Sequence, residues 1–105
     1  MYNPLPNKPT KEDYSNLLLD TISYVEQIVN DDSDNYLYEI ILAQLIDIKE
    51  IIVEKQELID EDDINERYTL GGIAVKNFEE GEEMRERLCT IFSVASDYAF
   101  LPEKK

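Results

Sequence analysis

The sequence predicts an all-α fold, a small antiparallel bundle of three main helices with a structured short-helix or turn connection between the second and third. Three stretches place apolar residues three and four positions apart, which is the spacing of one helix face. Short acidic links separate these stretches, and short links favour antiparallel neighbours. The 105 residues suffice for one core. We expect a single helical domain over residues 10–101, between a proline-containing arm over 1–9 and a tail over 102–105.

The first predicted helix begins at a capping sequence. Thr10 and Asp13 are spaced so that each side chain can accept a backbone hydrogen bond at a helix start. We expect the helix to end near Asn30, before a polar turn. Its apolar stripe consists of Tyr14, Leu17, Leu18, Thr21, Ile22, Val25, Ile28 and Val29.

The second predicted helix is the longest and the most apolar. Ser33 or Asp34 can cap its start, and the helical spacing continues to about Ile59. Many of its residues are β-branched, which favours strands, but the 3.6-residue period and a polar face outweigh that preference. We expect it at the centre of the bundle, because its apolar positions are Leu37, Ile41, Leu45, Ile48, Ile52 and Ile59, widened by Tyr38, Leu42, Ile51 and Leu58.

The connection after the second helix starts with consecutive acids at positions 60–63, which favour the positive end of a new helix. A short helix is expected from Glu61 to about Leu70, with Gly71 and Gly72 ending it, because glycine accepts a positive φ at little cost. The next segment, 73–78, alternates like a strand. No second strand is available to pair with it, so a tight turn or short helix is favoured.

The last predicted helix begins between Glu80 and Glu82 and is followed by Pro102, which ends the ordered chain. Its spacing places one apolar face toward the other helices. That inner face comprises Met84, Leu88, Ile91, Phe92, Ala95 and Tyr98 or Ala99.

The strongest feature of the composition is a net charge of −14, from 24 acids and 10 bases without histidine. Nucleic acid and anionic membranes repel such a surface, so the expected partners are neutral or basic. A solvated, soluble surface is the simplest alternative explanation of the charge. The single Cys89 excludes an internal disulfide, and no signal peptide or membrane span is visible. These features predict a cytoplasmic protein.

The residue types needed for most catalytic sites are missing. Without histidine and with one cysteine, a nitrogen- or sulfur-based zinc site and a Ser-His-Asp or Cys-His constellation are excluded. An EF-hand loop requires a central glycine, and the acidic stretch at 60–66 has none. Gly71-Gly72 lacks the spacing and the Lys-Ser/Thr pair of a phosphate loop. We therefore expect no enzyme activity, no cofactor and no metal.

The seven tyrosines are many for this length, and tyrosine is favoured at protein interfaces. Tyr36, Tyr38 and Tyr68 flank acidic turns and are the better interface candidates. The remaining candidates for the core or its edge are Tyr14, Tyr24 and Tyr98.

The segment from Arg67 to Glu79, RYTLGGIAVKNFE, carries a resemblance to a known family. It is similar to a segment of the bacterial immunity proteins that neutralise NAD(P)⁺ glycohydrolase effectors of type VI secretion. That family pattern is Arg, any residue, Thr-Leu-Gly, a small residue, Ile-Ala-Val-Lys, any residue, Phe and an acid, and every fixed position is matched. The resemblance extends over residues 36–98, while the arm departs from the pattern and the first helix matches only in periodicity.

The resemblance implies an all-helical cytoplasmic protein, without catalysis, that binds a cognate toxin domain and blocks its NAD⁺ site. A monomer is favoured. The apolar motif residues Leu70, Ile73, Val75 and Phe78 are expected to pack the connection onto the helices. The candidate partner-binding residues in and beside the motif are Asp60, Asp62, Asp63, Glu66, Tyr68, Lys76 and Asn77.

Two other functions remain open from the sequence. One is an acidic adaptor or chaperone-like module that holds a basic partner without inhibiting it. The other is a small hydrolase with paired carboxylates, for which a domain of this size offers little room. Binding without loss of the partner's activity would indicate the first, and turnover abolished by one Asp or Glu substitution would indicate the second.

Overall fold

The computed structural model describes residues 5–32 and 34–103. Within these residues the chain forms five α-helices, one π-helix and one 3-10 helix, and no β-strand. None of these helices is long and apolar enough to cross a membrane. In chain order the elements are α1 (Lys11–Asp31), α2 (Tyr36–Ile48), the π-helix (Lys49–Glu54), α3 (Glu61–Arg67), α4 (Leu70–Asn77), α5 (Glu83–Val94) and the 3-10 helix (Ala95–Phe100).

The start of α1 confirms the predicted capping box. The backbone N–H of Asp13 donates to Thr10 Oγ1 at 3.1 Å, and the Thr10 N–H donates to Asp13 Oδ2 at 3.0 Å. Two orphan donors of the first turn are thereby satisfied. The helix ends at Asp31, one residue beyond the predicted end.

The second helix differs from the prediction at both ends. Of the two predicted caps, Ser33 lies outside the described residues, and Asp34 is not the cap. The cap is Asn35, whose side chain accepts a 3.4 Å hydrogen bond from the Tyr38 N–H. At the other end α2 continues as the π-helix only to Glu54, so the predicted extension to Ile59 is wrong.

A left-handed residue explains the early end of this helix. Gln56 has φ +53°, and the N–H of Glu57 donates back to the Ile51 carbonyl at 3.0 Å. This arrangement satisfies a terminal carbonyl and ends the helix, a position that glycine usually occupies. Ile59 reaches the core from the loop that follows, while Leu58 is left exposed.

The connection between α2 and α5 consists of two helices. Asp60 caps α3, in agreement with the predicted break, and its carboxylate accepts from the Asp63 N–H at 2.9 Å. The prediction that Gly71 and Gly72 end a helix is wrong, because both lie in the first turn of α4. The break falls instead at Tyr68, whose backbone is extended.

The three longest α-helices are α1, α2 and α5, close to the predicted positions. α1 packs against α2 and α5, α4 packs against α5, and the π-helix packs against α1 and the 3-10 helix. Tyr14 links α1 to α5, since its buried hydroxyl donates to the Ile91 carbonyl at 2.8 Å. The buried core of the described residues includes Leu18, Val25, Ile41, Leu45, Ile48, Ile52, Ile64, Leu70, Ala74, Leu88, Ile91, Ala95 and Tyr98.

Both ends of the predicted domain meet at the start of α1. The backbone N–H of Lys11 donates to the Pro102 carbonyl at 2.7 Å, and its ammonium lies 3.3 Å from the Glu103 carboxylate. Residues 1–4 of the predicted arm and residues 104–105 of the predicted tail lie outside the described residues.

Candidate partner-binding surface

The four predicted acidic contacts lie together on or next to α3. Asp60, Asp62, Asp63 and Glu66 are all exposed to solvent. None of them forms a salt bridge with any residue in the described ranges 5–32 and 34–103. Asp60 is nevertheless engaged as the cap of α3, so a change at Asp60 also affects the helix start. The carboxylates of Asp62, Asp63 and Glu66 take no part in that cap, because Asp63 contributes only its backbone N–H.

The structure places Tyr68 inside the protein and not on its surface. Only 3% of its area is exposed, and its hydroxyl donates to Asp47 Oδ2 at 2.6 Å. Burial, together with this hydrogen bond to a carboxylate, raises the pKa of Tyr68 above its ordinary value. Tyr68 therefore holds the connection against α2. Its side chain is buried, whereas the sequence predicts an interface candidate at the surface.

A side-chain pair between α2 and α4 fixes the start of the family-like motif. Gln44 Nε2 donates to Thr69 Oγ1 at 2.8 Å, and the Thr69 N–H donates to Gln44 Oε1 at 2.8 Å. Thr69 is the N-cap of α4, and its backbone donor is satisfied by this amide from α2. Together with Tyr68 and Asp47, the pair ties the α3–α4 junction to one side of α2.

The motif lines a surface groove of about 500 Å³. Two of the predicted site residues, Lys76 and Asn77, are exposed on α4 beside it, and Tyr68 contributes to its floor. Asn77 Nδ2 donates to the Ile73 carbonyl at 3.0 Å. The groove is lined by Asn65, Tyr68, Thr69, Gly71, Gly72, Ile73, Lys76, Asn77 and Phe92.

Glycine at position 71 shapes this groove. A Cβ added to Gly71 would lie 3.1 Å from Cδ2 of Phe92, closer than side chains normally approach. Gly71 therefore allows α4 to lie against the Phe92 ring of α5. A Cβ at Gly72 would meet nothing within 4 Å. The first glycine has a packing reason, and the second leaves the groove wall open.

The two bases of the motif lie on the surface of the protein. Arg67 and Lys76 are exposed, and neither forms a salt bridge within the described part of the chain.

The other motif positions divide into core and surface. Leu70 and Ala74 are fully buried, whereas Val75 is 56% exposed, contrary to its expected packing role. The segment is thus a structural element with one exposed face.

A second polar depression of about 430 Å³ lies between α1 and α5, and no predicted site residue falls in it. Its floor is Arg87, a side chain only 2% exposed. Arg87 Nη1 donates to Asp20 Oδ2 at 2.9 Å and to Thr21 Oγ1 at 2.8 Å. Arg87 Nε lies 3.4 Å from the Glu83 carboxylate. The guanidinium carbon, Cζ, lies over the Tyr24 ring at 5.5 Å from the ring centroid. These partners indicate a structural network rather than an open binding site.

The remaining tyrosines are divided between surface and interior. Tyr36 is strongly exposed, and Tyr38 is half-buried with its ring 6.1 Å from that of Phe78. Tyr14 and Tyr98 are buried, and burial raises the pKa of each hydroxyl. Among the described residues, no three His, Cys, Asp or Glu side chains are grouped so as to hold a metal ion.

Comparison with known proteins identifies one family. The model of the Tsi6 family matches residues 13–97, which is most of the chain and includes all five α-helices in whole or in part. The match begins at Asp13, so α1 belongs to the family pattern and the resemblance is wider than the span of 36–98 expected from the sequence. No curated protein sequence and no solved structure shows a significant match to the chain.

Proposed function

The chain belongs to the Tsi6 family of type VI secretion immunity proteins for NAD(P)⁺ glycohydrolase effectors, and we propose that it protects the producing cell by binding a cognate toxin domain and occluding its NAD(P)⁺ site. The observation that carries this proposal is the position of the family-like motif. The motif lines a surface groove beside four exposed carboxylates that have no basic partner in the described chain.

Charge complementarity supports the choice of this surface. A pocket for an anionic dinucleotide presents basic side chains and backbone N–H donors. Asp62 and Glu66 offer carboxylates of the sign that such a pocket attracts. The net charge of −14 steers a basic partner toward the chain, and steering of this kind can bring association to about 10⁸–10⁹ M⁻¹s⁻¹ at low salt. Fast association suits a protein that must act before the cell loses its NAD⁺.

Rigidity of the surface supports the same proposal. The α3–α4 junction is held by the Gln44–Thr69 pair and by the bond from Tyr68 to Asp47. A preformed surface loses less conformational entropy on binding than a mobile loop does. We assign Lys76 and Asn77 to direct contact with the toxin at the groove. The acids assigned to electrostatic contact are Asp60, Asp62, Asp63 and Glu66. Tyr68 holds the α3–α4 junction in place through its bond to Asp47.

The test is NAD⁺ hydrolysis by a candidate cognate toxin domain of the NAD(P)⁺ glycohydrolase class, with the purified chain titrated in. We expect activity to fall linearly to zero near one equivalent, as a tight stoichiometric inhibitor requires. Full activity at excess would refute immunity against that toxin. If binding occurs without inhibition, the chain is an acidic adaptor and not an inhibitor.

Occlusion makes a further demand on the complex. A nonhydrolysable NAD⁺ analogue and the chain should compete for the toxin, so that saturating analogue slows formation of the complex. Undiminished analogue binding to the preformed complex would show that inhibition does not act by covering the site.

A further inference from the structure

One face of α2 is apolar and uncovered in the described structure. Tyr36 is 77% exposed, Ile40 is 51% exposed and Ile46 is 36% exposed, and Ala43 between them is also exposed. Their spacing of four, three and three residues places all four side chains on one side of the helix. We call this set, Tyr36, Ile40, Ala43 and Ile46, the α2 face.

The α2 face is not needed for the core. α2 buries Ile41, Leu45 and Ile48 on its opposite side, against the rest of the core. Single exposed apolar residues are normal on a protein surface, but a regular row of them marks a contact site more often. Three of the eight large hydrophobic side chains that the described surface exposes lie in this row.

Acidic residues on the same exposed side indicate the charge of the partner. Glu39 is exposed on this side of α2, and Glu50 is exposed in the π-helix that continues it. Asp47, four residues after Ala43, is half-buried, and its carboxylate accepts from the Tyr68 hydroxyl. A second copy of this chain would bring the same carboxylates face to face, with a net charge of −14 on each copy. A partner that presents apolar side chains bordered by Lys or Arg satisfies both features.

The α2 face adjoins the groove proposed as the toxin contact. Gln44 lies four residues after Ile40 and three before Asp47, so the three side chains are neighbours on the helix surface. The Gln44 amide holds Thr69, which lines the groove. One continuous surface therefore runs from the α2 face across Gln44 to the groove.

We propose that the α2 face is a second, apolar half of the toxin interface, which seats a hydrophobic patch of the toxin domain that is bordered by basic residues. This inference rests on the proposed function. The α3 carboxylates act mainly on the rate of association, whereas the α2 face acts on the lifetime of the complex, because buried apolar and aromatic anchors control dissociation.

The test compares two double variants of the full-length chain that remove equally exposed apolar side chains. Tyr36→Gln/Ile40→Gln alters the α2 face. Leu19→Gln/Phe100→Gln is the control, since Leu19 is 45% exposed on α1 and Phe100 is 74% exposed in the 3-10 helix. Association and dissociation of the toxin domain are measured for both by biolayer interferometry, and thermal melting by circular dichroism confirms that each variant folds.

We expect the α2 double variant to weaken binding about 30-fold or more, mainly through faster dissociation, and the control to stay within about threefold of the parent. Equal binding by both variants, with the parent still inhibiting the toxin, would overturn the α2 face and leave the proposed function intact. A parent that neither binds nor inhibits would overturn both. If sedimentation shows a parent dimer that the α2 variant abolishes, the face serves self-association and the inference is wrong.

A charge variant tests the chemistry of the partner. Glu39→Gln/Glu50→Gln is expected to slow association about threefold at low salt, with a smaller effect on dissociation. Faster association of this variant would show that the partner surface is acidic and would contradict the proposed charge.

Discussion

The α1–α5 contact and the α3 surface hold their acidic side chains in different ways. At the α1–α5 contact, Asp20 and Glu83 flank a guanidinium that is almost wholly buried. On α3, the carboxylates of Asp62 and Glu66 have no basic side chain within salt-bridge distance in the described chain. The first arrangement uses acids to neutralise a charge that the fold has removed from water. The second leaves negative charge on the surface.

The difference indicates which charges serve the fold and which are available to a partner. A buried Arg needs counter-charges and acceptors, because desolvating an unpaired cation is costly. Exposed acids on one short helix repel one another slightly, and those in its first turn gain about 0.3–1 kcal/mol each from the helix dipole. Part of this charge therefore favours the start of α3, and all of it stays exposed to solvent.

The largest effect that this comparison predicts is on stability, at the buried base. Arg87→Met keeps much of the apolar stem but removes the hydrogen bonds to Asp20 and Thr21 and leaves the buried Thr21 hydroxyl without that donor. We expect the free energy of unfolding to fall by about 2–3 kcal/mol. Urea denaturation measures this loss.

Arg67→Met is the matched control on the other region, since Arg67 is exposed in the last turn of α3. The loss there should stay below about 1 kcal/mol, the usual limit of a surface charge near a helix terminus. Equal losses at the two positions would show that the Arg87 network contributes no more than a surface charge does.

The second effect is on binding, at the α3 acids. Asp62→Lys/Glu66→Lys spares the Asp60 cap and reverses two surface charges. We expect association with the toxin domain to slow about tenfold at low salt, and its dependence on salt between about 50 and 500 mM to flatten. Asp62 lies in the first turn of α3, where its charge favours the helix start, whereas Glu66 lies near the opposite end. The two reversals therefore offset in part, and the free energy of unfolding should change by less than about 1 kcal/mol. Stopped-flow association and urea denaturation separate the two effects.

The same number of reversals elsewhere tests whether position matters. Glu12→Lys/Glu26→Lys changes two exposed acids of α1 and alters the net charge equally. A decrease in association rate as large as that of the α3 variant would mean that total charge, and not the α3 surface, guides the encounter.

Elements determined by local chemistry could be predicted from the sequence. Three features depend only on residues a few positions apart. They are the Thr10–Asp13 capping box, the start of α3 after its cap Asp60, and the apolar face of α5. The end of the second helix could not be predicted, since it depends on Gln56 adopting a conformation that the residue type does not favour. The close approach of Gly71 to Phe92 could not be predicted either, since Phe92 lies 21 positions later in the sequence.

The candidate site was predictable in its charges and not in its burial. The exposure of the α3 acids follows from their polarity. The burial of Tyr68 depends on an acceptor on another helix, Asp47, which no local pattern identifies. The burial of Arg87 has a local signal in the sequence. Arg87 lies three residues after Met84 and four before Ile91, so a base occupies the apolar stripe of α5 and requires acidic partners.

The smallest predicted effect is a difference in the free energy of unfolding between alanine variants at the two glycines of the groove. Both lie in α4, where alanine is favoured over glycine by about 0.5–1 kcal/mol because it has less conformational freedom to lose. Gly72→Ala meets open space and should raise the free energy of unfolding by about that amount. Gly71→Ala places a Cβ at 3.1 Å from the Phe92 ring, so displacement of the ring should cancel the gain or lower stability by up to about 1 kcal/mol.

Urea denaturation of the two alanine variants beside the parent measures this difference, and Gly71→Ala/Phe92→Ala tests its cause. With the ring removed, the alanine at position 71 should recover most of the gain seen at position 72, relative to Phe92→Ala alone. Equal stabilisation by Gly71→Ala and Gly72→Ala in the parent background would contradict the packing argument. It would mean that the ring of Phe92, a half-buried residue at the wall of the groove, moves aside at little cost.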